Sequence, residues 1–257
     1  MTTYIVDSGA GACDSLWSDR DGQQALVELN KYLYVPSGVF SSVDGSTLIF
    51  YSGSYEQIIL HMAFVIGILN EDQYGIWSSN CSGLGYDSFS YVEIAVDEWD
   101  ILSTVGAQID LGIIYGGSGG QHAYSHYREH YNVTLAVSHA IAHDERSGPP
   151  VCFYNHTLDG EDTHNLVETA SHEASDRIYS LVEELILAIQ NGQRGGSMNE
   201  VRYSGCTTSI HPEAPAIDVS KVIAERKASR DKMKKKLKSR RKSSTSRPRV
   251  TVKKMVI

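Results

Sequence analysis

The run from Ile58 to Leu69 constrains this chain most. Ser52-Gly53-Ser54 opens it, and the apolar pattern predicts a helix over Tyr55–Leu69. That helix is apolar nearly all round, so it has to be buried between layers. It holds His61 and falls well short of the roughly 20 apolar residues a membrane span requires. What can cover it is written around it. Thr2–Val6 is β-branched and aromatic, Ser8-Gly9 breaks it, and Gly11–Asp14 resumes it. Lys31–Val35 and Phe40–Val43 flank Pro36-Ser37-Gly38, a hairpin signal, and Thr47–Tyr51 reads as a central strand.

Further along, residues 70–90 are rich in Gly, Ser, Asn and Asp and read as an irregular insertion. Tyr91–Asp97 and Leu111–Tyr115 read as strands. The turn Gly116-Gly117-Ser118-Gly119-Gly120 leads into two short helices, Gln121–His130 and Thr134–His143, and Val151–Tyr154 is a strand. Leu181, Leu185, Ala188 and Ile189 recur at helical spacing within 164–191. Strand pairs with helices in blocks predict an antiparallel sheet with helices packed on it, an α+β fold.

Charge divides the chain. Residues 221–257 carry 16 of the 23 Lys and Arg with two acids, a net +14, which leaves −22 on residues 1–220. The expectation is a domain over 1–218 and a basic, disordered tail over 219–257. Four dispersed cysteines, Cys13, Cys81, Cys152 and Cys206, show no C-x-x-C pair and fit free thiols in a reducing compartment. The N-terminus lacks a basic start and an apolar stretch, so no secretory signal is expected, and the location predicted is cytoplasmic. The sequons at Asn80, Asn132 and Asn155 then carry no weight.

The start of the chain carries chemistry. Met1 precedes the small residue Thr2, and removal of Met1 would leave Thr2 with a free amine. Such a threonine joins a nucleophile to a base on one residue, the α-amine having a reference pKa of about 7.7–8.0. A nearby cation lowers that pKa, and a carboxylate can hold the cation in place. Residues 1–220 contain one lysine, Lys31, and Asp14 closes the second strand where it could reach it.

With those residues in view, the sequence resembles the proteasome β-subunits and the related bacterial heat-shock-locus peptidase, within the N-terminal nucleophile hydrolases. The opening Met1-Thr2-Thr3-Tyr4-Ile5-Val6 is similar to the family's start, and Asp14 and Lys31 fall at its aspartate and lysine. Gly53 matches its oxyanion-hole glycine and Ser118 its G-S-G serine. His143-Asp144-Glu145-Arg146-Ser147-Gly148 resembles its R-D-x-x-S-G-G, with Pro149 in place of the second glycine. The resemblance covers roughly residues 2–155 and looks most like small phage-encoded proteasome-like proteins.

The resemblance implies a four-layer α/β/β/α sandwich with antiparallel sheets, acting as a threonine-type peptidase on polypeptides within a homo-oligomer. It implies no cofactor and no metal. Thr2 attacks, its amine takes the proton, Lys31 lowers that amine's pKa and Asp14 fixes Lys31. Gly53 N–H receives the oxyanion, and Ser118, Asp144 and Ser147 orient the amine. Leu29, Leu33, Tyr51 and Tyr55 approximate the positions that shape the specificity pocket.

Other readings stay open. The fold could be retained without catalysis in a binding protein anchored by its tail. Lys234, Lys235, Lys236, Lys238, Arg240, Arg241 and Lys242 could contact nucleic-acid phosphates, or an acidic partner, with no aromatics to stack on bases. The glycine-rich turn lacks the Lys-Ser/Thr ending of a phosphate loop. His122, His126 and His130 share a helix face at metal-compatible spacing, although a plain polar face is the expectation.

Overall fold

The computed structural model describes residues 3–18, 24–25, 29–40, 45–83, 89–157, 161–168 and 172–195. The chain opens with β1 (Tyr4–Val6) and β2 (Ala10–Cys13), then β3 (Trp17–Ser18), β4 (Gln24–Ala25), β5 (Tyr32–Val35) and β6 (Thr47–Gly53). Two helices follow, α1 (Tyr55–Val65) and α2 (Glu71–Gly83). Next come β7 (Phe89–Ala95), β8 (Asp100–Val105), β9 (Gln108–Asp110) and β10 (Ile113–Gly116). The hairpin of α3 (Gly120–His130) and α4 (Val133–His143) leads to β11 (Cys152–Asn155), β12 (Thr163–His164) and α5 (His172–Gly195).

The strands form a six-stranded sheet in the order β12-β11-β2-β1-β10-β9 and a four-stranded sheet β5-β6-β7-β8, with β3 and β4 paired apart. All pairings are antiparallel. The β1–β2 hairpin is set by Asp7, whose carboxylate accepts from the N–H of Gly9 (2.8 Å) and Ala10 (2.7 Å). This is the turn chemistry expected of a short acidic side chain.

Strand alternation explains how the core is divided. Tyr4, Val6, Cys13 and Cys152 of the six-stranded sheet join Leu48 and Phe50 of the four-stranded sheet in one buried cluster. Ile5, Ala12 and Tyr115 point the other way, into a cluster with Ala123 and Tyr127 of α3 and Val137 of α4. Leu33, Ile49 and Tyr51 pack with Ile58 and Met62 of α1 and Leu181 of α5 in a third. The architecture is mixed α+β, two antiparallel sheets and five helices among the described residues, and it is compatible with a sandwich.

The apolar run forms a buried helix as expected, and α1 ends at Val65. Two expectations change. Residues 70–90 are not an irregular insertion, because α2 occupies Glu71–Gly83. A reciprocal cap starts it: Asn70 N–H donates to Gln73 Oε1 (3.0 Å), and Gln73 N–H donates to Asn70 Oδ1 (2.9 Å). Its polar sequence is then held by α1, where Gln57 accepts from the Ser78 hydroxyl (2.7 Å) and donates to the Ser78 carbonyl (3.1 Å). Among the described residues β5 pairs with β6, in the register Tyr32↔Phe50 to Val35↔Thr47. Phe40 packs at the edge of the core, and residues 41–43 of the expected Phe40–Val43 strand lie outside the described residues. The strands β8 and β9 were not expected.

Gly11 of β2 lies against the ring of Phe50 of β6, in the other sheet. A Cβ there would collide with the buried Phe50 ring and press on Val6 Cγ2 at 3.3 Å. Gly11→Ala is therefore expected to destabilise the protein by about 1–3 kcal/mol through overpacking. Urea unfolding checks this, and an unchanged midpoint would contradict the packing.

Candidate active site

The order β11-β2-β1-β10 brings four chain segments to one edge of the six-stranded sheet. In antiparallel pairing, the start of β1 lies beside the ends of β2 and β10, and the start of β11 lies beside the end of β2. Thr3, Asp14, Ser118 and Ser147 occupy those four segments. The α3–α4 hairpin closes the arrangement, because Asp144 caps α4 and is returned to the glycine turn before α3.

Asp14 is the most heavily engaged group. It is 0% exposed, and its carboxylate accepts from Thr3 N–H (2.8 Å), Gly148 N–H (3.0 Å) and Leu16 N–H (3.2 Å). Lys31 Nζ lies 3.7 Å from Asp14 Oδ2, with Lys31 1% exposed. The ammonium also donates to the Leu16 carbonyl and sits 5.0 Å from the centroid of the Trp17 ring. Burial pushes the Lys31 ammonium down to about 8, although Asp14 opposes the shift. Burial pushes the Asp14 carboxyl up, against the pull of Lys31 and the three N–H donors.

The second half of the site is a hydroxyl cluster. Ser118 Oγ donates to Asp144 Oδ2 (2.6 Å), and Ser147 Oγ donates to the same oxygen (2.7 Å). Ser147 has spent its proton, so the Thr3 hydroxyl donates to Ser147 Oγ at 2.7 Å. Burial alone would raise the Asp144 carboxyl. The two hydroxyls and the Arg146 N–H outweigh it and hold the group below its ordinary value. Ser118 and Asp144 are half-buried, so this cluster reaches the surface while Asp14 and Lys31 do not. The proline at 149 does not displace Ser147, since Gly148 carries the turn: its N–H meets Asp14 and its carbonyl accepts from Ser15 N–H (3.1 Å).

Thr3 joins the two halves, its amide held by Asp14 and its hydroxyl by Ser147. The sequence reading assigned no role to Thr3, nor to the Leu16 carbonyl, Trp17 or Gly119. A buried hydroxyl beside the Tyr4-Ile5-Val6 run was the available signal for Thr3. Gly53 ends β6 at φ 120°, a conformation that favours glycine, and lies at the sheet end where Tyr51 N–H donates to the Lys31 carbonyl (2.9 Å).

Thr2 lies outside the described residues, as do the tail residues Lys234, Lys235, Lys236, Lys238, Arg240, Arg241 and Lys242. Of the four residues expected near a specificity pocket, Leu33 is 1% exposed and Tyr51 0%, and both pack in the buried cluster with α1. Leu29 and Tyr55 are only partly buried and can present surface.

His122, His126 and His130 do share a face of α3, and His139 and His143 of α4 extend it. Ring centroids are 4.5 Å apart for His126–His139 and 4.0 Å for His139–His143. The His126–His139 and His122–His143 rings stack, while the His126–His130 and His139–His143 rings are tilted against each other. Among the described residues no three His, Cys, Asp or Glu side chains are placed to hold a metal ion. No helix among them is long and apolar enough to cross a membrane.

No protein-family model matches the sequence, and no curated protein does. Among solved structures, the chain is similar to Thiobacillus denitrificans BPH, at 15% identity and a TM-score of 0.40, over 62% of this chain and 100% of that one. The same protein in complex with epoxomicin aligns at 14% identity and a TM-score of 0.38, over 60% and 96%.

Gly119 is the tightest point of the hydroxyl cluster. A Cβ there would collide with Thr3 Oγ1 and lie 3.0 Å from both Asp144 Oδ2 and Ser147 Oγ. Gly119→Ala is expected to break the Thr3–Ser147–Asp144 chain, and loss of about one to two hydrogen bonds corresponds to about 1–3 kcal/mol. Thermal unfolding reads the cost, and a variant as stable as wild type would argue against the packing around Gly119.

Proposed function

We propose that the chain is a threonine-type N-terminal nucleophile hydrolase, acting on polypeptides, with Thr2 as nucleophile after removal of Met1. One observation carries this reading. The buried Asp14 carboxylate holds the Lys31 ammonium and also the N–H of Thr3, one peptide bond from Thr2. Burying a lysine–carboxylate pair costs several kcal/mol per ion before pairing offsets it. Such a pair at the start of the chain's first strand is well suited to acting on an amine. The three interlayer clusters support the four-layer α/β/β/α arrangement that goes with this chemistry.

In the proposed mechanism Thr2 Oγ attacks the substrate carbonyl carbon and its own α-amine takes the proton. The Lys31 cation depresses that amine's pKa, so more of it is neutral and able to act as base. Ser118 and Ser147 each give their proton to Asp144 and keep lone pairs that can accept from the amine. Gly53 N–H is proposed to receive the oxyanion, a donor of the type worth about 2.7–4 kcal/mol. Of Leu29, Leu33, Tyr51 and Tyr55, the partly buried Leu29 and Tyr55 are the better placed for side-chain recognition. A ring-like homo-oligomer is the expected state.

The mature N-terminus tests the reading. Intact mass should show Met1 removed, and an electrophile directed at N-terminal threonine should add its mass to wild type and not to Thr2→Ala. Retention of Met1 in active protein would sink the mechanism, because Thr2 would lack a free amine.

Lys31 sets a pH dependence. Unfolded, it keeps its proton to about 10.5; folded, to about 8. Below pH 8 both states carry the proton. Between these values the unfolded chain binds more protons, so the Lys31 contribution to stability rises with pH while the site loses its cation. The kcat/KM profile should therefore fall above about pH 8 without unfolding. Lys31→Arg keeps its charge in that range, so the alkaline limb should disappear at reduced rate. An alkaline limb unchanged in Lys31→Arg would assign it to another group.

A further inference from the structure

Two thiols that the hydrolytic reading leaves unused meet inside the sandwich. Cys13 ends β2 and Cys152 begins β11, and the register places them directly opposite. Opposed residues on antiparallel strands have Cα atoms about 4.5–5.5 Å apart, within the roughly 4.4–6.8 Å that a disulfide spans. Both side chains enter the same buried cluster, so they lie on one face of the sheet. Both are free thiols.

Their surroundings differ. Cys13 is 0% exposed, and burial pushes its thiol well up, so it keeps its proton. Cys152 is 7% exposed and hydrogen-bonds to Cys13, while the half-buried Ser15 places its hydroxyl 3.2 Å from the sulfur. The bond from Cys13 comes first among the causes that bring Cys152 down to about 7, with burial opposing and Ser15 assisting. Cys152 is thus the less buried sulfur and the one with a hydroxyl beside it, while Cys13 faces it from the sealed interior.

We propose that Cys13 and Cys152 form a redox-active pair in which Cys152 is the attacking sulfur and Cys13 the resolving one, with hydrogen peroxide as oxidant. The Cys152 thiolate attacks the peroxide, the O–O bond breaks, and hydroxide leaves to take up a proton as water. The sulfur, now a sulfenic acid, is attacked by the Cys13 sulfur. The S–O bond breaks, the Cys13 proton leaves with the hydroxyl as water, and a disulfide remains. Two thiols are oxidised and one peroxide is reduced to two waters. A thiol reductant reverses the change by exchange. The cross-link joins β2 to β11 one residue from Asp14, and it does not depend on whether Thr2 is a nucleophile.

The full-length folded protein treated with hydrogen peroxide should lose the mass of two hydrogen atoms, and peptide mapping should recover Cys13 joined to Cys152. Cys13→Ala should stop at a Cys152 sulfenic acid that dimedone traps. Ser15→Ala, which leaves the pair intact, should slow alkylation of Cys152 by iodoacetamide several-fold at neutral pH. A disulfide to Cys81 or Cys206, or no disulfide, would overturn the pair. Dimedone capture at Cys13, or equal alkylation rates in wild type and Ser15→Ala, would overturn the assignment of Cys152 as the attacking sulfur.

Discussion

The buried pair of Lys31 and Asp14 is the interaction on which the rest of this site depends. An ammonium at 1% exposure and a carboxylate at 0% are tolerated only where each finds its partners inside the protein. The partners are distributed widely in sequence: Thr3 opens the first strand, Leu16 and Trp17 follow the second, and Gly148 precedes the eleventh. Satisfying one buried carboxylate therefore ties together the segments that bear the candidate chemistry. The outer hydroxyl cluster around Asp144 is less buried and more accessible, which suits groups that must exchange protons.

Topology makes this convergence possible. Adjacent antiparallel strands start and end at the same edge, so β1, β2, β10 and β11 deliver four loops to one place. The α3–α4 hairpin is long enough, at 11 residues a helix, to return Asp144 to the turn it left. Small residues are needed where these backbones meet. Gly119 approaches the Thr3 hydroxyl, and a side chain at Gly148 would press on Leu16, whose carbonyl receives Lys31.

Much of this was legible. The buried helix α1, the strands β1, β2, β6 and β7, the α3–α4 pair and α5 follow from apolar periodicity and turn residues. Asp14, Lys31, Ser118, Asp144 and Ser147 were singled out by residue type and by the resemblance that connected them. The helix α2 was not legible from apolar periodicity, because Glu71–Gly83 has almost no apolar face and is stabilised by its cap and by Gln57 of α1. The pairing of β5 with β6 was not legible, because a Pro-Ser-Gly turn signals a reversal without saying which later strand lies alongside. Leu33 and Tyr51 were singled out by the resemblance, and their burial against α1 follows from how the whole core packs, which no segment shows by itself.

By itself the sequence determined which segments are apolar enough to be buried, where the chain turns, and that one lysine stands among 29 acids in its first 220 residues. These are local properties, set by neighbours within a few positions. Only the tertiary structure decided that Thr3 bridges Asp14 and Ser147, that Cys13 faces Cys152, and that His126 of α3 stacks on His139 of α4. Each of those contacts joins residues on different elements. Its existence depends on strand register and helix placement, which are chosen by the packing of the whole core and not by any segment alone.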